Sequence, residues 1–236
     1  MTKSSRIRLG LVGATGRMGT TLRQVLQDDP QASADFRIVF TCSGPRDPNF
    51  RLLERERPEV LVDFSSPECT VEIAKVAAKL KIPLLICTTG FSAPQRKALD
   101  KTLAGAVWAW TPNTSIGVFA LGRALRAALE ALPGDVTIAI TDVHHAAKKD
   151  APSGTALALK TLVEAGSERK VEIHSIRGGT EVGEHRIQIL THGEKLELTH
   201  QAGDRSLFAH GALQLAKALL KKRAAGRAYT AEDLFL

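Results

Sequence analysis

Residues 6–19 read R-I-R-L-G-L-V-G-A-T-G-R-M-G. The apolar run Ile7 to Val12 has the character of a buried strand, and it enters Gly13, Gly16 and Gly19 without a break. Met18, Leu22, Val25 and Leu26 then recur at helical spacing. Strand, glycine turn and helix in succession lift a glycine motif above background. Glycine allows a tight turn, close approach of backbone to a pyrophosphate, and close packing of helix on sheet. The helix start adds backbone N–H donors that lack an intrahelical partner, and so attracts an anion. The spacing here is G-x-x-G-x-x-G rather than the commoner G-x-G-x-x-G, so the rest of the chain has to agree.

It does so by alternating strand and helix up to residue 115. Phe36 to Cys42 reads as the second strand, after an insertion at Asp28 to Asp35. An NAD site usually ends this strand in Asp or Glu; here Ser43-Gly44-Pro45-Arg46 stands there. Arg46 or Arg51 can pair with a 2′-phosphate, which leans the site toward NADPH with NADH still usable. Pro45 to Pro58, with its R-L-L-E-R-E-R run, reads as a short amphipathic helix or a solvated connector. Glu59 to Phe64 and Pro83 to Cys87 are continuous apolar strands, and Ala106 to Trp110 is a third. A helix carrying Val71, Ala74, Val76, Ala77 and Leu80 lies between the first two; another, Pro94 to Leu103, capped by Ser92, precedes the third. Loops beyond the carboxyl ends of parallel strands line the ligand crevice. Trp108 and Trp110 read as core or interface rather than as a stacking platform.

The second half changes period. Gly117 to Leu132 is a helix ended by Pro133-Gly134, and Asp135 to Val143 alternates as a half-buried strand. It delivers residues 144–156, H-H-A-A-K-K-D-A-P-S-G-T-A. Ser153 is an N-cap signal for a helix running to Gly166. Gly154 and Thr155 then occupy the first turn, where amides and the helix dipole favour a carboxylate or phosphate. His144, His145 and Lys148 add acid–base capacity and positive charge. Singly, each of these residues fits an ordinary capped loop; together they concentrate titratable groups that a connector does not need. Lys170 to Arg177, His185 to Thr191 and Lys195 to His200 are further strands, so this half is α+β with an open sheet. A second subunit would cover the open face. His174, His185, His192 and His200 sit on separate elements without zinc spacing, so they read as structural or bracing groups and no metal is expected. Asp204 to Arg223 is a periodic helix, and Thr230 to Leu236 a capped terminal turn.

The 236 residues are 44% hydrophobic and 24% charged, which suits a globular protein of one or two domains. No apolar run reaches the length of a membrane span, and the start lacks a signal-peptide core. Cys42, Cys69 and Cys87 read as reduced thiols, which points to the cytoplasm. The net charge of +7 is dispersed. Its densest cluster, Lys221-Lys222-Arg223, closes a helix, where cations suit the dipole, so nucleic acid is not the expected partner.

The string H-H-x-x-K-x-D-A-P-S-G-T-A resembles the signature of the dihydrodipicolinate reductase family. G-x-x-G-R-M-G, D-F-S-x-P-E at residue 63, T-T-G-F at residue 88, and the stretches 175–185 and 193–213 are also similar to that family. The resemblance implies a Rossmann-type parallel-sheet nucleotide domain, residues 1–115 with 204–236, and a smaller α+β substrate and oligomerisation domain, residues 116–203. It implies NADPH- or NADH-dependent reduction of the cyclic dicarboxylate 4-hydroxy-tetrahydrodipicolinate, on the diaminopimelate route to lysine, by a homotetramer. On this resemblance His144 is the acid–base group and Lys148 the proton donor. His145 and the amides of Gly154 and Thr155 hold the substrate carboxylates, and Asp150 fixes the loop or Lys148. Cofactor contacts fall on Gly13, Ala14, Thr15, Gly16, Arg17, Met18, Ser43, Cys87, Thr88, Thr89, Thr111, Pro112, Asn113 and Thr114. The chain departs from the family pattern at Ser43, at Ser66, at Thr114 and in a short segment after Pro45. The competing readings are another Rossmann-type dehydrogenase, such as one acting on an amino acid, and a nucleotide sensor without catalysis.

Overall fold

A computed structural model of the chain describes residues 6–44, 47–132, 135–165 and 169–236. Arg46, the Pro133-Gly134 stop and Gly166 lie outside the described residues. The first run of elements is β1 (Ile7–Val12), α1 (Arg17–Asp28), α2 (Pro30–Asp35), β2 (Phe36–Cys42), α3 (Leu53–Glu56), β3 (Val60–Asp63), α4 (Pro67–Leu80), β4 (Leu84–Ile86), α5 (Ala93–Thr102) and β5 (Trp108–Trp110). Next come α6 (Ile116–Ala131), β6 (Thr137–His144), α7 (Gly154–Glu164), β7 (Val171–Arg177), β8 (Gly183–Leu190) and β9 (Lys195–Ala202). The chain closes with α8 (Ser206–Leu219) and α9 (Ala231–Phe235). Packing divides it into two units, Met1–Thr114 with Ser206–Leu236, and Ser115–Arg205.

The first unit is a parallel sheet of order β2-β1-β3-β4-β5. Its strands are apolar on both faces because both faces are covered. In β3, Val60 and Val62 enter one core while Leu61 enters the other. The first core gathers residues of α1 and α8, the second those of α4 and α5. Gly211 lets α8 lie directly against the Thr114 carbonyl, where a side chain would overlap it. The strand order reverses between β1 and β3, so the crevice opens beyond Val12 and Asp63.

The insertion at Asp28 to Asp35 is an extra turn of helix, α2. Asp29 caps it by accepting from Gln31 N at 2.8 Å and Ala32 N at 3.3 Å, with Pro30 in its first turn. Asp-Pro is a readable helix start that the apolar pattern hides. The R-L-L-E-R-E-R segment forms a 3₁₀ turn, Pro48–Leu52, leading into α3, and Leu53 is buried. The closing helix α8 is shorter than the periodicity predicts. Lys221 and Lys222 instead donate their N–H groups to Ala218 and Leu219 in a turn beyond it. All three cysteines are free and buried.

The second unit is a mixed sheet of order β7-β6-β8-β9, with β6 parallel to β7 and antiparallel to β8. Alternation puts Ile138, Ile140, Val171, Ile187 and Ile189 on one face, against Leu121 and Leu125 of α6 and Leu159 and Val163 of α7. Because β6 and β7 are parallel with α7 between them, the ends of both strands meet the start of α7. In register, His144 stands opposite Arg177.

Candidate active site

The inward row of β6 continues past its apolar residues to Asp142 and His144. Asp142 is fully buried. Its Oδ1 accepts from His144 Nδ1 at 3.1 Å and Arg177 Nη1 at 2.7 Å. Its Oδ2 accepts from Ser153 N at 3.2 Å and Ser175 Oγ at 2.7 Å. Burial works against its charge, but the bonds from Ser175 and Arg177 more than offset it and hold the carboxyl below its usual range. Arg177 also reaches Asp150 O through Nη2 at 2.7 Å. His144 is buried, and burial, then the Lys148 charge, lower its basicity, with Asp142 opposing both. A Cβ on Gly183 would stand 3.0 Å from His144 Nε2, so glycine there leaves room for the imidazole.

The loop after β6 is zipped to the β7–β8 turn. His145 N donates to Glu181 O, Ala146 N to Gly179 O, and Gly178 N to His144 O. Lys148 N closes a turn on His145 O at 3.0 Å, and Lys148 Nζ meets both Asp150 carboxylate oxygens at 2.8 Å. Asp150 therefore fixes Lys148. A cis Ala151–Pro152 peptide leads to Ser153, whose Oγ accepts from Ala156 N at 3.1 Å and caps α7. The first helical bond runs from Leu157 N to Ser153 O, which places the Gly154 and Thr155 amides ahead of the helical ladder. The position a Gly154 side chain would take is open space. One short stretch thus holds His144, Lys148 and a helix N-terminus.

His185 and His200 belong to the same cluster, which their separate strands conceal in the sequence. Register sets Asp142 opposite His185 and His185 opposite His200. The His144 and His185 rings meet edge to face, centroids 5.3 Å apart, and His200 lies 6.4 Å beyond. Burial, then the neighbouring His144, push His185 down to about 4. His185 and His200 each brace a serine: Ser153 Oγ is 3.1 Å from His185 Nε2, and Ser115 Oγ is 3.3 Å from His200 Nε2. His174 and His192 are exposed elsewhere. Among the described residues no cluster of three His, Cys, Asp or Glu could hold a metal.

In the first unit the glycine turn has the geometry its sequence requires. Gly13 has φ +78°, and a Cβ there would stand 2.5 Å from the Phe64 carbonyl oxygen. Gly13 N and Ala14 N both donate to Cys42 O, and Gly19 packs against the Gly13 carbonyl and Ala14. Thr15, Gly16 and Arg17 are exposed, Met18 is half-buried, and the first turn of α1 carries no acidic residue. The amides of Gly13, Ala14 and Gly16 are engaged within the turn, while those of Arg17 and Met18 precede the first helical bond, Thr20 N to Gly16 O, and suit an anion at the exposed start of α1. Ser43 is exposed at the end of β2, and its N–H donates to Asp47 Oδ2 at 2.7 Å. Asp47 Oδ1 takes Asn49 N at 2.9 Å. The carboxylate missing from the strand end thus returns four residues later as a loop brace.

Asp63, at the end of β3, went unassigned in the sequence. It is fully buried and accepts from Ser65 N, Ser65 Oγ, Thr70 Oγ1 and Thr88 Oγ1. Burial raises its pKa against those bonds. Cys87, Thr88, Thr111 and Thr114 are buried. Thr114 Oγ1 donates to Phe208 O at 2.7 Å, so it anchors the chain to α8. Thr89 and Pro112 are exposed, and Asn113 is half-buried. Trp110 donates to Thr88 O and carries the Arg96 guanidinium 3.5 Å above its ring.

Residues 7–114 match the family described as dihydrodipicolinate reductase, N-terminus, and residues 117–235 the one described as dihydrodipicolinate reductase, C-terminus. The chain is similar to the 4-hydroxy-tetrahydrodipicolinate reductase of Lawsonia intracellularis, 34% identical, with 95% of this chain and 97% of that one covered. It is also similar to that of Stenotrophomonas maltophilia, 37% identical, with 97% of each covered. A solved dipicolinate-bound dihydrodipicolinate reductase from Paenisporosarcina sp. TG-14 shares the fold, with a TM-score of 0.77 at 18% identity over 98% of this chain and 100% of that one.

Proposed function

Because the chain belongs to the dihydrodipicolinate reductase family, we propose that its reduction step runs on the His144–Lys148 loop and the N-terminus of α7. The activity is NAD(P)H-dependent reduction of 4-hydroxy-tetrahydrodipicolinate in the diaminopimelate route to lysine. Substrate, NAD(P)H and a proton give tetrahydrodipicolinate, NAD(P)⁺ and water.

The nicotinamide supplies the hydride, so the protein's part is positioning and proton supply. The Gly13–Met18 cradle fits the pyrophosphate, and Ser43 and the ends of β4 and β5, Cys87 to Thr89 and Thr111 to Thr114, flank the rest of the cofactor. Those of their side chains that are buried contribute backbone only. NADPH and NADH are both accepted, with a lean to NADPH. β2 is followed by Ser43 rather than a carboxylate, and both oxygens of Asp47 are already engaged by amides. His145 and the Gly154 and Thr155 amides receive the substrate carboxylates, with the dipole of α7 behind them. Lys148 keeps a third N–H beyond the two that face Asp150, and this is the proton donor. His144 exchanges a proton through Nε2.

One observation carries this reading. The 144–148 turn, closed by Lys148 N on His145 O, puts an imidazole, an ammonium and the first turn of α7 within one short stretch. A nucleotide sensor has no use for that set. The open face of the second sheet, with Ile176 half exposed, is the surface on which copies would assemble as a homotetramer. No helix among the described residues is long and apolar enough to cross a membrane, and the reduced thiols suit work in the cytoplasm.

The test is oxidation of NADPH and NADH by the purified protein, with substrate generated from pyruvate and aspartate semialdehyde by the preceding synthase. Turnover that collapses in His144→Ala and Lys148→Ala supports the assignment. Cofactor binding without turnover in the unaltered protein would sink it.

A further inference from the structure

We propose that Asp142 is the positioning residue of this site, its one carboxylate fixing the tautomer of His144 and seating the N-terminus of α7. The inference rests on the reading of His144 and α7 given above. An ionised carboxylate only accepts hydrogen bonds. Asp142 meets four donors from three places in the chain: His144 on its own strand, Ser153 before α7, and Ser175 and Arg177 on β7. The Ser153 amide and the guanidinium cannot reverse. With Oδ1 already held by Arg177, His144 meets it as a donor, so the Nδ1 position carries hydrogen. That leaves Nε2, on the opposite edge of the ring, as the atom that exchanges a proton.

The other oxygen does different work. Oδ2 takes the backbone N–H of the residue that caps α7. The amides proposed to hold the substrate therefore sit at a fixed distance from the imidazole. A buried ion pair between Asp142 and Arg177 would account for Arg177 alone. It would not explain why the same two oxygens also take the imidazole and the cap of α7. The acid–base imidazole and the carboxylate cradle are thereby referenced to one rigid group, which is what alignment of an acid–base group with a bound dicarboxylate needs.

The charges around His144 fix the sign of a pH effect. Lys148 and Asp150 lie in the loop, Arg177 on β7, His185 on β8 and His200 on β9. Of these groups and Asp142, the carboxylate of Asp142 is the one bonded to the ring, and it favours the imidazolium. Removing it moves His144 titration further down.

The experiment is nitrogen-15 NMR of histidine-labelled protein, with His144→Gln to assign the ring, alongside kinetics of Asp142→Asn. Neutral His144 in the unaltered protein is expected as the Nδ1–H tautomer. An amide offers one acceptor and one donor where four donors converge. Asp142→Asn should therefore lose that tautomer, titrate at lower pH and turn over on the order of 10²-fold more slowly. Dipicolinate, used as the probe for the carboxylate cradle, should bind roughly tenfold more weakly. NADPH binding should be unchanged, which shows the first unit folded, and retained dispersion of the His185 and His200 ring signals shows the second unit folded. An Nε2–H tautomer in the unaltered protein overturns the proposal even if the variant does not fold. So does a variant that titrates and turns over like the original. If instead His144→Ala retains turnover, it is the assignment of His144 that fails.

Discussion

Ser153 Oγ and His185 Nε2 lie 3.1 Å apart, although 32 positions separate them. The hydroxyl accepts from Ala156 N at the cap of α7 and keeps its proton and a second lone pair for the ring. Burial suppresses the basicity of His185, so the ring is neutral at neutral pH and pairs with the hydroxyl through Nε2. Ser115 and His200 repeat the arrangement at α6, with Ser115 Oγ accepting from Val118 N. Both helices of the second unit start on a serine that a strand histidine holds in place.

Ser153→Ala should therefore do more than an ordinary cap deletion. Losing the cap costs about 1 kcal/mol, and leaving a buried imidazole nitrogen unpaired adds about 1–3 kcal/mol. We expect urea unfolding to show a loss of about 2–4 kcal/mol, with KM for the dicarboxylate raised because the first turn of α7 frays. A loss no larger than an exposed cap gives would show that the histidine contact contributes nothing.

Stability should fall as the solution becomes acidic, in a window that His185 sets. Its folded pKa is near 4, below the ordinary value of 6.5. Between those values the unfolded chain binds a proton that the folded one does not, so the slope of stability against pH is positive there. The contribution is intact above pH 6.5 and is lost progressively toward pH 4, up to about 3 kcal/mol. His144 and His200 are also lowered and act in the same sense. Urea midpoints from pH 7 to 4 should drop more steeply in the unaltered protein than in His185→Gln, whatever the variant's absolute stability. Parallel curves would refute the assignment.

Local signals were legible in the sequence and long-range register was not. Phe36 to Cys42 forms a strand at the bounds read from its apolar pattern. Ser92 and Ser153 cap the helices predicted to follow them, because an N-cap is decided within four residues. The turn chemistry of Gly13 was equally local. β4 and β5 proved to be only three residues long, since strand length depends on neighbours that a single segment does not reveal. The alignment of Asp142, His185 and His200 depends on antiparallel pairing across tens of residues, and period-2 alternation gives a face but no partner. Hence the histidines read as separate braces, whereas the fold gathers them round His144. Asp47 escaped for a related reason: its role appears only when the loop folds back onto Ser43.

Gly13→Ala should damage cofactor binding and the fold together. The residue sits at φ +78°, and the added Cβ would meet the Phe64 carbonyl oxygen at 2.5 Å and its carbon at 2.6 Å. Those atoms are backbone and cannot rotate away. The left-handed conformation costs about 1–2 kcal/mol and the overlap about 1–3 kcal/mol more. Gly16→Ala is the contrast. Its φ is −73°, and the nearest neighbour of a Cβ is the Gly13 carbonyl at 3.3 Å. We expect urea denaturation to separate the two variants clearly, with NADPH binding, followed by fluorescence, lost in Gly13→Ala. Equal effects would mean that backbone conformation at Gly13 is not what the turn requires.

Asp47→Asn should raise the use of NADPH relative to NADH. The carboxylate is held at the end of β2 by Ser43 and Asn49 amides, and those bonds keep it below its usual pKa range. It is therefore charged at neutral pH, next to the strand end where a ribose phosphate would lie. The substitution also loosens the loop, but that change acts on both cofactors alike. The ratio of the two kcat/KM values isolates the charge. Through exposed, solvated geometry the effect should be modest, roughly threefold to tenfold at low salt, and it should shrink as ionic strength rises and screens the pair. A ratio that moves but ignores salt would place the cause in loop shape. A ratio that stays put would mean that Asp47 lies out of range of the 2′-phosphate, leaving discrimination to groups elsewhere in the unit.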